Sequence, residues 1–256
     1  MLEGFLWYFQ YNFENKYLAN GNIRKAISLA IDKEDLVNNV LKDGSIVAKG
    51  FVPNKLATGP DGKDFRETAD TYLQTDKEKA LDYYNKAKEE LGKEDFTYKM
   101  MVEDTESAQN VAQFIQSEIQ TTLPGVTIEL EVMPKKNRVE RMQSGDFEAV
   151  LTRWGPDYAD PMTYLDMWTT DNPNNYGFWS NKEYDTVIQS AKDGELALDP
   201  EARWEALKNA EKTVMDTAVI LPVYQKGNAV MIKSAVSGVE HHSVGVPRIF
   251  KNATKN

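Results

Sequence analysis

Residues 96–154 carry the pattern that most restricts the fold. "FTYKMMV" (Phe96 to Val102) reads as a strand, and "ESAQNVAQFIQSEIQTTL" as a helix with Val111, Phe114, Ile115 and Ile119 inward. "VTIELEV" (Val126 to Val132) alternates apolar and polar residues at period two, a helix over about Asn137 to Met142 follows, and "FEAVLTRW" reads as a third strand. Strand–helix–strand–helix–strand is the signature of an α/β sheet with right-handed crossovers. Ligands of such sheets tend to sit beyond the carboxyl ends of the strands. The segment there is "RWGPDYADPMTYLDMW", Arg153 to Trp168, in which Asp157 and Asp160 stand among Trp154, Tyr158 and Tyr164.

The flanks supply the remaining layers. The aromatic opening predicts a strand over Leu6 to Tyr11, and a chain that starts inside a strand suggests that something precedes it. Ile23, Ile27, Ala30 and Ile31 share one helical face; Asp32 can cap a second helix bearing Leu36, Val37, Val40 and Leu41, with Gly44 as its stop. After a long polar connection, Thr75-x-x-Glu78 reads as the capping box of a helix with Ala80, Leu81, Tyr84, Ala87 and Leu91 inward, ended by Gly92. Beyond the acidic segment, Ser180-x-x-Glu183 predicts a helix through Tyr184 to Ala191, and Asp199-Pro200 starts another that buries Trp204, Leu207, Ala210 and Val214. "VILPVYQ" and "NAVMIK" predict two strands around a Lys226-Gly227 turn, and the last twenty residues offer few core candidates.

Several function classes drop out on composition. A formal net charge of −10 repels nucleic acid and anionic membrane surfaces. The absence of cysteine removes disulfides, thiolate nucleophiles and Cys-ligated metals. No apolar run approaches the roughly 18 residues of a membrane span. His241 and His242 are adjacent and lack a partner at a ligand spacing, which favours a solvated polar loop over a metal site. No G-x-S-x-G, G-x-G-x-x-G or Walker sequence occurs, so neither catalytic residues nor a cofactor are expected.

Three readings of the acidic segment remain. Asp157 and Asp160 would serve as a hydrolytic pair only if held about 5–10 Å apart around a sugar bond, one with a raised pKa. Asp160 is already explained as the cap of a helix beginning at Pro161. A carboxylate at Asp157, flanked by Trp154 and Tyr158 in a partly dry place, suits a primary ammonium through charge-assisted hydrogen bonds and cation–π attraction. A turn aspartate beside core aromatics is the plain alternative, and the residues alone leave the two open.

The chain also resembles a known family. "WGPDYADPMTYLD" is similar to the W-x-x-D-Y-x-D-P segment of the oligopeptide-binding proteins of ABC peptide importers (extracellular solute-binding protein family 5). "NIRKAISLAIDKEDLVNNVL", "AKGFVP", "DKEKALDYYNKA", "NPNNYGFWSNKEYDTVI" and the run from Arg203 through Ala210-Glu211 to Ile220–Tyr224 follow in family order. The likeness covers essentially the whole chain, which corresponds to the C-terminal half of family members about twice as long. It implies a periplasmic-binding-protein type II-like lobe, an α/β fold with a mixed sheet flanked by helices. Residues 1–227 would form the second lobe, residues 228–256 a tail returning to the first, and the N-terminal lobe lies outside this chain. By the same resemblance, Asp157 would receive the α-ammonium of an oligopeptide with a free N-terminus. Arg153, Trp154 and Gly155 would pair their main chain with it, and Trp154 and Tyr158 would line side-chain pockets. Gln225 and Lys226 depart from the tyrosines that often follow the family's P-V-Y, and no residue matches a defined carboxylate-binding position. The implied partner is a membrane permease and the implied place extracytoplasmic, as a cell-surface lipoprotein or in a periplasm. A dipeptide, a nickel chelate or a pheromone remains an alternative cargo.

Overall fold

In the computed structural model, which describes residues 1–255, β1 (Leu2–Tyr11) leads into α1 (Gly21–Ala30). Next come α2 (Lys33–Asp35, continued by a π-helical turn over Leu36–Leu41), β2 (Ile46–Val47), α3 (Phe65–Thr68) and α4 (Lys77–Leu91). The alternating middle follows as β3 (Phe96–Glu103), α5 (Glu106–Thr122), β4 (Val126–Met133), α6 (Lys135–Gln143) and β5 (Ala149–Trp154). Then α7 (Met162–Leu165), α8 (Lys182–Asp193) and α9 (Pro200–Asp216) precede β6 (Ile220–Gly227), with two-residue strands β7 (Val236–Ser237), β8 (Glu240–His241), β9 (Arg248–Ile249) and β10 (Thr254–Lys255) in the tail.

The main sheet runs β2-β6-β1-β5-β3-β4. It is mixed: β3 pairs in parallel with both β4 and β5, while β1 lies antiparallel between β5 and β6. The carboxyl ends of β3, β4 and β5 therefore share an edge of the molecule with the start of β1. Because β1 is central, both of its faces are covered. Trp7, Phe9 and Tyr11 pack with Ile23 and Ile27 of α1, Tyr84 of α4 and Ile115 of α5. Leu6 and Tyr8 face Leu165, Trp168, Tyr184 and Leu207 from the α7–α9 side. A strand buried on both faces reads as a continuous apolar run, which is the character of "FLWYFQY". The expected α/β class, a mixed sheet flanked by helices, is the fold observed.

Several local expectations need correction. The opening strand starts at Leu2, four residues earlier than expected. Asp76, not Thr75, caps α4; the Thr75 hydroxyl donates instead to the Ile31 carbonyl at 2.7 Å. Asn181, not Ser180, caps α8, since its carboxamide oxygen accepts from both Glu183 and Tyr184 amides. The second helix ends at Leu41 with Lys42 in the left-handed region, before Gly44. Leu81 lies on the exposed side of α4. The polar connection carries its own core: Phe51, Val52, Leu56 and Phe65 are buried against Trp204 and its neighbours.

"NAVMIK" forms no strand. Lys226-Gly227 is not a hairpin turn, because β6 runs straight through it to pair Gly227 with Leu2 of β1. Glycine is needed there for another reason: a Cβ would collide with the carbonyl of Gly44. Past Gly227 the side chains are largely exposed. The tail is tied to the β1 end by the Gly4 amide donating to Ser243 O at 3.1 Å.

Candidate functional site

The edge that receives the carboxyl ends of β3 and β5 is built by strands of unequal reach. β5 pairs with β1 along all six of its residues, Ala149 to Trp154. Its ladder to β3 runs only through Met100↔Ala149 and Met101↔Val150. Thr152, Arg153 and Trp154 thus extend the strand with β1 on one side and no ladder on the other, among the described residues. A strand end of this kind can accept a further extended chain by main-chain hydrogen bonds.

The turn after β5 is held from below by α7 and its approach. Trp154 Nε1 donates to Thr163 O at 3.0 Å and the Asp157 amide to Thr163 Oγ1 at 3.1 Å. The Tyr164 hydroxyl lies against the carbonyls of Gly4 and Trp154, joining β1 and β5 at their shared end. Gly155 sits against the Phe5 ring so closely that any side chain would displace it. The main chain of Arg153 to Gly155 is therefore fixed on the side facing the fold.

The two aspartates part ways. Asp160 accepts the Met162 amide at 2.8 Å, and both its oxygens are gripped by the Arg203 guanidinium at 2.8 and 2.9 Å. This carboxylate braces the turn against α9, an arrangement unlike a general acid or nucleophile. Asp157 is exposed, and among the described residues its carboxylate has no ion-pair or hydrogen-bond partner. Among the described residues the expected partly dry surroundings are not present, since Asp157 is open to solvent. Tyr158 stands beside it at 44% exposure. Partial burial, then the charges of Asp166 and Asp160, push its hydroxyl pKa up to about 12.

Arg153 does more than supply main chain. Its guanidinium lies over the Trp7 ring at 4.9 Å, and Trp7 stacks on Tyr224 at 5.7 Å. It also donates to Glu103 at the end of β3, at 3.2 and 3.3 Å. Tyr164 is among the aromatics the sequence places beside the two aspartates, whereas Glu103, Arg138, Thr163 and Phe5 are not marked by it. Glu103 and Arg138 lie 50 and 15 residues before Arg153, and they meet it through the parallel β3–β5 pairing and the packing of α6 on β3.

Among the described residues no group of three His, Cys, Asp or Glu side chains is placed to hold a metal ion. His242 Nε2 lies 3.9 Å from Glu240 on the exposed tail. No described helix is long and apolar enough to cross a membrane.

Comparison with known proteins gives this edge a context. The family model described as bacterial extracellular solute-binding proteins, family 5 Middle, matches residues 2–176. A dipeptide-binding protein of Lactococcus lactis subsp. cremoris is 33% identical over 239 residues, covering 93% of this chain and 43% of that protein. The crystal structure of a peptide-binding protein of a peptide ABC transporter superposes with a TM-score of 0.83 at 38% identity, covering 87% of this chain and 99% of that one. The substrate-binding domain of an oligopeptide ABC transporter from Bacillus anthracis superposes with a TM-score of 0.90 at 35% identity, covering 99% of this chain and 50% of that one. The chain spans less than half the length of the curated relative. Both solved structures share the fold of this chain, which agrees with the expected fold. With the match to the family model spanning well over half of its residues, the chain belongs to the bacterial extracellular solute-binding proteins of family 5.

Proposed function

We propose that residues 1–227 are the second lobe of a two-lobe peptide receptor that delivers oligopeptides to an ABC permease, and that residues 228–256 return to the first lobe. The observation that carries this reading is the end of β5: a strand whose β3-side ladder stops at Val150, followed by Asp157, whose carboxylate has no partner among the described residues. A peptide added along Arg153 to Gly155 would be held by its backbone, so that side-chain identity matters little. Its α-ammonium would meet Asp157, with Trp154 and Tyr158 bordering the first side chains. The peptide-binding names of the relatives support the cargo class.

In this account the outer face of Asp157 becomes dry only when the first lobe closes over it. Ligand bridging the lobes favours the closed state, and the strength of the ammonium–carboxylate pair rises as water leaves. The protein works outside the cytoplasm, anchored by lipid or free in a periplasm, and performs no chemistry on its cargo. A dipeptide is the second reading, favoured by the name of the Lactococcus relative.

The test is identification of what the full-length protein carries. Protein purified without denaturation and then unfolded should release peptides with free N-termini, detectable by mass spectrometry. Consistent release of a non-peptide molecule, or hydrolysis products on incubation with glycosides or peptides, would contradict the reading.

A further inference from the structure

Gln225 is one of the two residues that depart from the family's usual tyrosines, and its side chain is fully engaged. It is 1% exposed, near the end of β6. Its Nε2 donates to Glu3 O at 2.8 Å and to Asn54 O at 2.9 Å. Its Oε1 accepts the Asn54 amide at 2.9 Å and Asn54 Nδ2 at 3.2 Å. Both donors and both acceptor lone pairs of this buried carboxamide are therefore used. Together they join β6, β1 and the long connection that precedes α3.

The place where Gln225 grips β1 is irregular. Leu2 pairs with Gly227 and Leu6 with Gln225, so Glu3, Gly4 and Phe5 stand opposite the single residue Lys226. On its other side β1 pairs with β5 only from Leu6↔Trp154 onward. Surplus residues of this kind make a bulge, which bends a strand and re-aims what it carries. Here the bulge carries the acidic turn. The Phe5 ring lies against Gly155, and Gly4 is so near that a Cβ on it would come within 2.6 Å of Pro156 Cγ. The Tyr164 hydroxyl holds Gly4 O from the α7 side, and Gln225 holds Glu3 O from the β6 side. A stretch outside both ladders keeps its shape through such contacts. Asp157 follows Pro156 directly, so a shift of the bulge passes to its carboxylate.

We propose that Gln225 is a positioning residue of the peptide site: by fixing the bulge at Glu3 to Phe5 it sets where Asp157 stands, while itself enclosed and away from the ligand. The inference rests on the peptide-receptor reading above, in which Asp157 meets the ammonium. A charge-assisted hydrogen bond weakens steeply with distance and angle, so a displaced carboxylate is felt in affinity.

Calorimetry on the full-length protein with tetra-alanine tests this, in the natural and the Asp157→Asn backgrounds. Gln225→Met keeps the length of the side chain and removes its hydrogen bonds. In the natural background it should weaken binding at least about tenfold, the scale of one charge-assisted contact. On Asp157→Asn the same change should cost less than about threefold, because the group that Gln225 positions is gone. A purely structural loss would weaken both backgrounds equally. Tyr84→Phe serves as the control, since it removes the hydroxyl's contacts with Glu94 O and Pro124 O beside the starts of β3 and β4. It should lower stability but change affinity less than about twofold. Should Gln225→Met fail to fold, Gln225→Asn carries the same expectations: it keeps a carboxamide beside Asn54 but is too short to reach Glu3 as well. If Asp157→Asn weakens binding but the Gln225 variant costs less than about threefold, or costs as much in both backgrounds, the positioning role is overturned and the receptor reading stands. An equal loss in Tyr84→Phe would overturn it too. If Asp157→Asn leaves affinity unchanged, the anchor fails and the positioning role falls with it.

Discussion

Arg203 of α9 grips both oxygens of Asp160 at 2.8 and 2.9 Å, and so leaves Asp157, three residues earlier, as the turn's unengaged carboxylate. Two aspartates that look equivalent in "PDYADP" are thereby given separate work, one to hold the turn and one to face outward. Arg203 also donates to Ala191 O at 2.8 Å, tying α8 to the same point. Arg203→Ala should therefore destabilise the protein by roughly 1–2 kcal/mol, more than an ordinary exposed pair because the contact is bidentate and half-buried. Arg203→Lys should recover less than half of that, since an ammonium cannot reproduce the fork. Urea unfolding of the three proteins measures both; equal stability of all three would show that the brace contributes nothing.

Asp157 has the opposite expectation. Asp157→Asn should leave stability almost unchanged, because its carboxylate has no partner within the described chain. In the full-length protein the same substitution should weaken peptide binding by roughly 2–5 kcal/mol, the usual loss when one member of an enclosed charge pair is removed. Affinity within tenfold of the natural protein would exclude Asp157 as the ammonium acceptor.

The buried pair Arg66–Glu211 tests the packing between the long connection and α9. Glu211 is enclosed, accepts the Val52 amide at 2.8 Å, and has its pKa raised by burial, an effect opposed by Arg66. Arg66→Ala would strand that carboxylate and should cost roughly 3–5 kcal/mol. Arg66→Met with Glu211→Leu should cost much less, since no charge is then left unpaired. A double substitution as damaging as the single one would show that volume, not charge, governs the site.

Lys33 predicts a pH dependence. Its ammonium is buried, donates to the Leu73 carbonyl, and has its pKa lowered by burial to about 7. Unfolded lysine titrates near 10.4, so between these values the unfolded chain binds the extra proton and stability rises with pH. The penalty for burying the charge is complete below about pH 7, shrinks as pH climbs, and is gone above about 10.5. Measured against Lys33→Met, in which other groups cancel, the natural protein should gain roughly 2 kcal/mol between pH 7 and 9. A flat difference across that window would mean that the ammonium is not desolvated in solution.

The parts of this fold that were legible in the sequence are those set within a few residues. Period-two alternation found β4, the Asp199-Pro200 start found α9, and the strand ending at Trp154 put "GPDYADP" at a carboxyl end. Choosing Asp76 over Thr75, or Asn181 over Ser180, depends on which side chain can reach an amide two or three positions on, and adjacent cap-forming residues offer no signal to separate them. "NAVMIK" has strand-like composition but does not pair back on β6, whose two sides are taken by β1 and β2. The placing of β1 between strands more than a hundred residues away is a property of packing. The same holds for the Glu103–Arg138–Arg153 cluster, whose members come from three elements and no common motif.

The claim that the turn after β5 is an ammonium-anchored peptide site is tested most directly by titrating the full-length protein with one tetrapeptide, free and N-acetylated, by calorimetry. The account predicts tight binding of the free peptide and loss of binding on acetylation, with the 256-residue chain alone binding more weakly than micromolar because half of the enclosure is missing. Equal binding of the two forms would contradict the anchor at Asp157, and tight binding by the isolated chain would contradict the need for a second lobe.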